Sequence, residues 1–321
     1  MFEHLHKAGE FMVGYRYMYS RHGGDMLHGS SEADDHAIRH NACLLPGEDP
    51  GSHSTHNHCS MKPSNMTMKM HMLDIMYAPT DWVTLMVMPQ WMTMDMGMSP
   101  LEGAHDDDGH GHMGGHGHGT DGLGDTIFGA LVMLSEGPGH HLHTGLMFSA
   151  PTASVDEKNP DGTYVHYGMQ LGSGTWDFLP SLTYTGRAGL WSWGAQASGI
   201  IRMEDENESG FSYGNVFQST VWGSYRVVNW LSASVRLLYM RQAAIEGHYD
   251  AGHNHHSPPD LQGNYGGRFL DVGFGVNTVV PSGALKGHRF AVEWLEPVHD
   301  DVNGYQLERE GTLWLNWSKA F

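Results

Sequence analysis

Residues 231–240 read LSASVRLLYM, with Leu231, Ala233, Val235, Leu237 and Tyr239 on one parity and Ser232, Ser234, Arg236 and Met240 on the other. Successive side chains of an extended chain point to opposite faces, so this alternation describes a strand with one apolar face. In FLDVGFGVNTVV, Leu270, Val272, Phe274 and Val276 oppose Asp271, Gly273, Gly275 and Asn277. In TLWLNWSKAF, Leu313, Leu315, Trp317 and Phe321 alternate with Thr312, Asn316, Ser318 and Ala320. Helical periodicity is scarce. The pattern predicts about twelve strands, at 9–20, 65–78, 82–96, 123–135, 140–151, 176–187, 190–203, 212–226, 230–246, 267–280, 288–298 and 307–321. Many have the roughly 9–11 residues that a tilted strand needs to cross a bilayer.

The connectors alternate in length. Short ones lie at 79–81, 136–139, 188–189, 227–229 and 281–287, and long ones at 21–64, 97–122, 152–175, 204–211, 247–266 and 299–306. A soluble all-β sandwich has no reason to sort its loops by parity. A transmembrane antiparallel β-barrel does, with short periplasmic turns and long outer loops. The short turns are bracketed by aromatics, Tyr77 with Trp82 and Tyr225 with Trp230, as expected of an interfacial girdle. The expectation is therefore one all-β outer-membrane barrel over 1–321, whose segments 21–64 and 97–122 are His-rich outer loops.

Composition narrows the partners. The formal net charge of −19 argues against nucleic acid. No run approaches the length of a transmembrane helix. The opening MFEHLHKAGEF lacks the basic start and apolar core of a signal peptide, so the residues given are read as cytoplasmic or as a mature form; the barrel pattern selects the bacterial outer membrane. No nucleophile elbow, phosphate loop or paired-carboxylate motif stands out, and an enzyme is not expected.

GLGDTIFGALVML, GLMFSAPTASVDE, YGMQLGSGTWDFLPSLTYTG and WSWGAQASG resemble the outer-membrane transporter family named for a phenol meta-cleavage degradation pathway. The terminal WLNWSKAF, ending in Phe321, resembles the signal that the outer-membrane assembly machinery reads. The resemblance implies a porin-like barrel in a Gram-negative outer membrane, uptake of small aromatic compounds and no catalytic residues.

Two segments are rich in methionine. NMTMKMHMLDIM places Met66, Met68, Met70, Met72 and Met76 on even positions, and MVMPQWMTMDMGM does the same with Met86, Met88, Met92 and Met94. Asp74, Thr84 and Gln90 share that parity, and a carboxylate facing lipid is penalised. The methionines are therefore expected to face the lumen. The outer half of that strand is ambiguous, because Thr67, Lys69 and His71 make its other face polar too. Thioether sulfur is soft and favours Cu(I) or Ag(I) over Mg²⁺, Ca²⁺ or Zn²⁺; equally, methionine fills irregular interiors.

The chain carries 25 histidines. His105, His110, His112, His116 and His118 lie in HDDDGHGHMGGHGH and its surroundings, and His253, His255 and His256 in HYDAGHNHH. Imidazoles on Gly-rich spacers suit Zn(II), Cu(II) and Ni(II), or form a solvated, pH-sensitive loop. His140, His141 and His143, near a short turn, read as surface histidines, with a metal exit site the alternative. Cys43 and Cys59 suit a disulfide in an oxidising compartment, with HNHC as a metal cluster the alternative. Arg16, Arg202, Arg226 and Arg236 against Asp74, Asp177, Asp271 and Glu293 make either a constricting ion-pair network or selectivity charges.

Three functional expectations follow. The first is a channel for copper, captured as Cu(II) on the His loops and passed as Cu(I) along the methionines, with no obligatory cofactor and a reductant that the sequence does not identify. The second is porin-like uptake of small aromatic or apolar solutes. The third is a surface metal buffer anchored by a barrel. Lipid is a partner in all three.

Overall fold

The computed structural model describes residues 5–43, 59–102 and 117–321. In chain order the strands are β1 (Phe11–Gly29), β2 (Ser31–Glu32), β3 (Met61–Thr80), β4 (Val83–Met88), β5 (Gln90–Pro100), β6 (Gly117–Leu123), β7 (Thr126–Gly137) and β8 (His140–Ala150). There follow β9 (Asp177–Ala188), β10 (Trp191–Arg202), β11 (Phe211–Ser212), β12 (Val216–Val228), β13 (Leu231–Gln242), β14 (Glu246–Gly247), β15 (Gly267–Val279) and β16 (Arg289–Ala320). One short helix, α1 (Asp35–Asn41), precedes β3. Neighbouring strands pair antiparallel, and β1 bonds to both β16 and β3, which closes the sheet into a barrel.

Two strand pairs behave as single crossings, and one long strand makes two. β4 and β5 are halves of one, interrupted at Pro89, which has no N–H to give the ladder; its carbonyl still accepts from Leu73 N at 3.2 Å. β6 and β7 are halves of the next, opposite β5 and β4. β16 supplies two crossings, because its 289–302 arm pairs with β15 and its C-terminal arm with β1. The wall thus has the twelve crossings that the alternation predicted. The start of β1 and the end of β16 meet at one end, where Phe321 N donates to Phe11 O at 2.8 Å.

Two loop expectations need correction. The segment 299–306 is a tight reversal rather than a long loop: the ladders run up to Val302, and Gly304 turns the chain at φ 56°, a conformation that favours glycine. The outer loops expected at 21–64 and 97–122 are also partly strand. β1 and β3 continue to Gly29 and back to Met61, and GHGTDGL forms β6. Polar and glycine-rich residues serve there because ladder bonds are made by backbone, and above the membrane the outer face no longer needs to be apolar.

The outer wall carries the apolar parity. Leu73 is 40% and Tyr77 47% exposed, and Leu85, Trp91, Leu146, Leu182, Phe217, Val235 and Phe274 are exposed with them. Tyr77, Trp82, Trp191, Tyr225 and Trp230 stand out at the short-turn end, the position of a girdle. Towards the other end this face turns polar: Arg21 Nε lies 2.6 Å from Glu310 Oε2, exposed, and Thr67 stands opposite Asp95. Thr67 and Lys69 therefore belong to the part of β3 that leaves the hydrocarbon, while His71 is held at 2.6 Å by the Tyr15 hydroxyl. The irregularity in β3 lies further out, between Pro63 and Asn65.

Candidate functional site: the lumen and its outer cap

The site is the barrel interior. On its methionine-bearing side, Met72 and Met76 are 1% exposed and Met88 0%, and Met86 and Met94 are also buried. They share the inward face with Asp74 and Thr84, both buried. Met66, Met68, Met70 and Met92 are half-buried and pack against the same interior clusters. Directly opposed residues of an antiparallel pair point to one face with Cβ atoms about 4.5–5.5 Å apart. The register therefore stacks rungs across the wall: Met12–Met76–Met86, Met18–Met70–Met92, and Ser20–Met68–Met94–Thr120. The top rung is His22–Met66–Met96–His118.

The inner face also carries ion pairs, one among the methionines and the others on the remaining strands. Arg16 Nε meets Asp74 Oδ2 at 2.5 Å, Arg202 bonds Asp177, and Arg236 Nε meets Glu293 Oε1 at 2.9 Å. Arg309, which the sequence did not single out, bonds Asp271 at 2.6 Å and Asp300 at 2.5 Å. Between these pairs lie bonded neutral groups such as Gln196 with Thr183 at 2.7 Å. At the short-turn end the segment before β1 folds inward at His6, whose N donates to Thr84 Oγ1 at 3.1 Å. His143, expected on the surface, is 1% exposed. Residues 143, 145, 147 and 149 are the buried parity of β8, which turns this ring into the lumen.

The long connectors cap the outer mouth. Tyr164, Tyr167 and Tyr249 stack with centroids 4.2 and 4.3 Å apart, and Phe211 abuts them. Burial pushes the Tyr167 phenol up to about 12, so it stays neutral, and its oxygen accepts from Tyr249 N at 3.3 Å and Gln262 Nε2 at 3.0 Å. Asp260 organises the other part. Its Oδ2 accepts from the backbone N–H groups of His256 and Ser257 at 3.0 and 2.9 Å, and its Oδ1 lies 2.7 Å from His166 Nδ1. Burial alone would raise this carboxyl; the hydrogen bonds of His166 and Ser257, with the charge His166 and His253 carry when protonated, hold it below its ordinary value. Burial depresses the His253 imidazole, with the Asp260 charge opposing. Sequence reading missed the tyrosine stack, whose signal was the aromatic-bracketed YVHY at 164–167.

Of the histidines expected to gather metal, His118, His253, His255 and His256 lie among the described residues. His105, His110, His112 and His116 lie outside the described residues. His118 is on β6, facing in. His253 packs against both Tyr167 and Tyr249, its Nε2 donating to Asp260 O at 2.9 Å. His255 and His256 are exposed. Among the described residues, no three His, Cys, Asp or Glu side chains are arranged to hold a metal ion. Cys43 and Cys59 form a disulfide with Cα atoms 5.4 Å apart. The bridge is buried against Met26, Ile38 and Leu261, tying α1 and β3 into the cap.

The fold matches the COG4313 outer membrane channel of Pseudomonas putida F1 with a TM-score of 0.60 at 15% identity, covering 100% of this chain and 98% of that one. The β-domain of the Bordetella autotransporter BrkA matches at a TM-score of 0.48 and 11% identity, over 98% and 100% of the two chains. The P. putida toluene transporter TodX matches at 0.43 and 10%, over 99% and 91%. No curated protein matches by sequence. Residues 101–293 match the family described as "Putative MetA-pathway of phenol degradation". Its closed antiparallel barrel with an apolar outer wall is an outer-membrane fold, and with that match over more than half its length the chain belongs to this family.

Proposed function

We propose that the barrel passes small apolar solutes, monoaromatic compounds among them, across the outer membrane. The observation that carries the reading is the lining. One inner wall presents thioether and aliphatic groups from Met12, Met72, Met76, Met86, Met88, Ile127, Leu131 and Met147, while Arg16, Arg202, Arg236 and Arg309 are each paired with a carboxylate. Arginines already held by carboxylates offer little to a hydrated anion or a sugar, and a flexible, polarizable wall adapts to flat rings of different shape. The family likeness supports the same reading. Proteoliposomes test it: a toluene-sized solute should equilibrate many times faster than an uncharged sugar of similar mass. Equal rates for the two would end the proposal.

The continuous methionine rungs favour a second reading, copper as cargo, because successive weak thioether sites would let a soft ion both enter and leave. Replacing Met68, Met70, Met86 and Met88 by Leu separates the two. Apolar uptake survives that change, since the wall stays apolar; copper flux falls if the sulfurs carry it. The third reading, a metal buffer at the surface, rests on residues 105–118 and predicts that their deletion lowers metal stoichiometry without changing solute flux.

A further inference from the structure

We infer that Met96, His118 and His166 form a binding site for one soft monovalent cation, Cu(I) or its redox-inert analogue Ag(I), at the top of the methionine wall. Met96 of β5 stands directly opposite His118 of β6, so both side chains leave the sheet on the same face, within reach of a shared ligand. Met96 is buried among Met94, Met98, Val165 and Met169. The segment carrying His166 is tied to the same place, Thr120 Oγ1 donating to Met169 O at 2.8 Å. The rings of His118 and His166 meet edge to face, 5.3 Å between centroids.

His166 supplies the decisive observation. It is 8% exposed, and its Nδ1 faces the Asp260 carboxylate at 2.7 Å. A carboxylate there fixes the proton on Nδ1 and leaves the lone pair on Nε2, the arrangement that orients metal-ligating imidazoles. Nε2 is buried and has no hydrogen-bond partner. A buried acceptor left unsatisfied is costly, and this one lies on the side of the ring turned from Asp260. Asp260 is itself held by two backbone donors and the Ser257 hydroxyl, so the ring cannot turn without breaking that set.

The donors select the ion. Two imidazole nitrogens and a thioether give a neutral, partly soft set of low coordination number, which suits a d¹⁰ monovalent cation. Zn²⁺ seeks four ligands of nitrogen, oxygen or thiolate, and no such trio of His, Cys, Asp or Glu is in place among the described residues. The inference stands whichever solute the barrel passes. Its structural consequence is that the ion bridges the 151–176 connector to the wall.

The test is Ag(I) binding to the full, detergent-solubilised chain in chloride-free nitrate buffer, with excess Zn²⁺ present to occupy imidazole-only sites elsewhere. One tightly held Ag(I) per chain is expected, with nitrogen and sulfur both in its X-ray absorption shell. Met96→Leu should remove the sulfur shell and weaken binding at least tenfold, His166→Gln should weaken it similarly, and Met147→Leu, a lumenal methionine on another strand, should change nothing. A nitrogen-only shell in the parent protein overturns the proposal, and does so even if a variant fails to fold. Equal affinity in the parent, Met96→Leu and His166→Gln also overturns it, as does an equal loss in Met147→Leu.

Discussion

Arg16 Nε and Asp74 Oδ2 lie 2.5 Å apart on neighbouring strands inside the barrel, with side chains only 15% and 3% exposed. Removing one partner of such a pair leaves a buried charge uncompensated, a cost of about 3–5 kcal/mol. Asp74→Ala should therefore lose stability on that scale in urea titrations of the barrel in micelles, and replacing both residues with apolar side chains should recover most of it. A loss below about 1 kcal/mol in the single variant would mean that water reaches the pair.

The two faces of β3 should respond oppositely to charge and to shape. Leu73→Arg puts a cation into lipid and should cost about 2–4 kcal/mol near mid-membrane. Met72→Leu conserves volume and polarity in the lumen and should cost less than about 1.5 kcal/mol. Equilibrium unfolding of the two variants in lipid vesicles measures both, and the reverse ranking would place the methionines on the outside.

Acid should loosen the outer cap. His253 is depressed by burial and Asp260 by its hydrogen bonds and neighbouring imidazoles, so each binds protons less readily folded than unfolded. Stability from His253 is complete above about pH 6.5, and that from Asp260 above about pH 4; each is lost as pH falls through the depressed folded value. Amide exchange across 253–262 should rise on acidification and stay flat on going alkaline from neutrality. Faster exchange at alkaline pH, after correction for intrinsic rates, would contradict the assignment.

Reduction should affect the cap and spare the wall. The Cys43–Cys59 bridge closes a loop of sequence separation 16, worth roughly 3 kcal/mol in the chain-entropy model. Dithiothreitol, or Cys43→Ser with Cys59→Ser, should open residues around α1 to protease while the barrel keeps its heat-dependent gel migration. Protection of α1 unchanged by reduction would show that the packing of Ile38 and Leu261 suffices alone.

The sequence by itself determined the barrel, its number of crossings and which parity faces inward. These follow from one local rule: a strand crossing lipid must turn apolar side chains outward at every second residue, and a one-residue slip would put Asp74 and Thr84 into hydrocarbon. The methionine parity in β3 to β5 was legible for that reason. Only the tertiary structure decided how the outer segments end. GHGTDGL reads as loop because its residues carry no apolar alternation, yet it is strand, since β5 supplies the backbone partners and no lipid constrains its outer face. Likewise His166 and Asp260 are 94 residues apart, and nothing local in either segment signals the other. Their meeting, and the placing of His118 beside them, depends on how the connectors fold back over the mouth, where packing of Tyr164, Tyr167 and Tyr249 across distant loops sets the geometry rather than any repeating pattern along the chain.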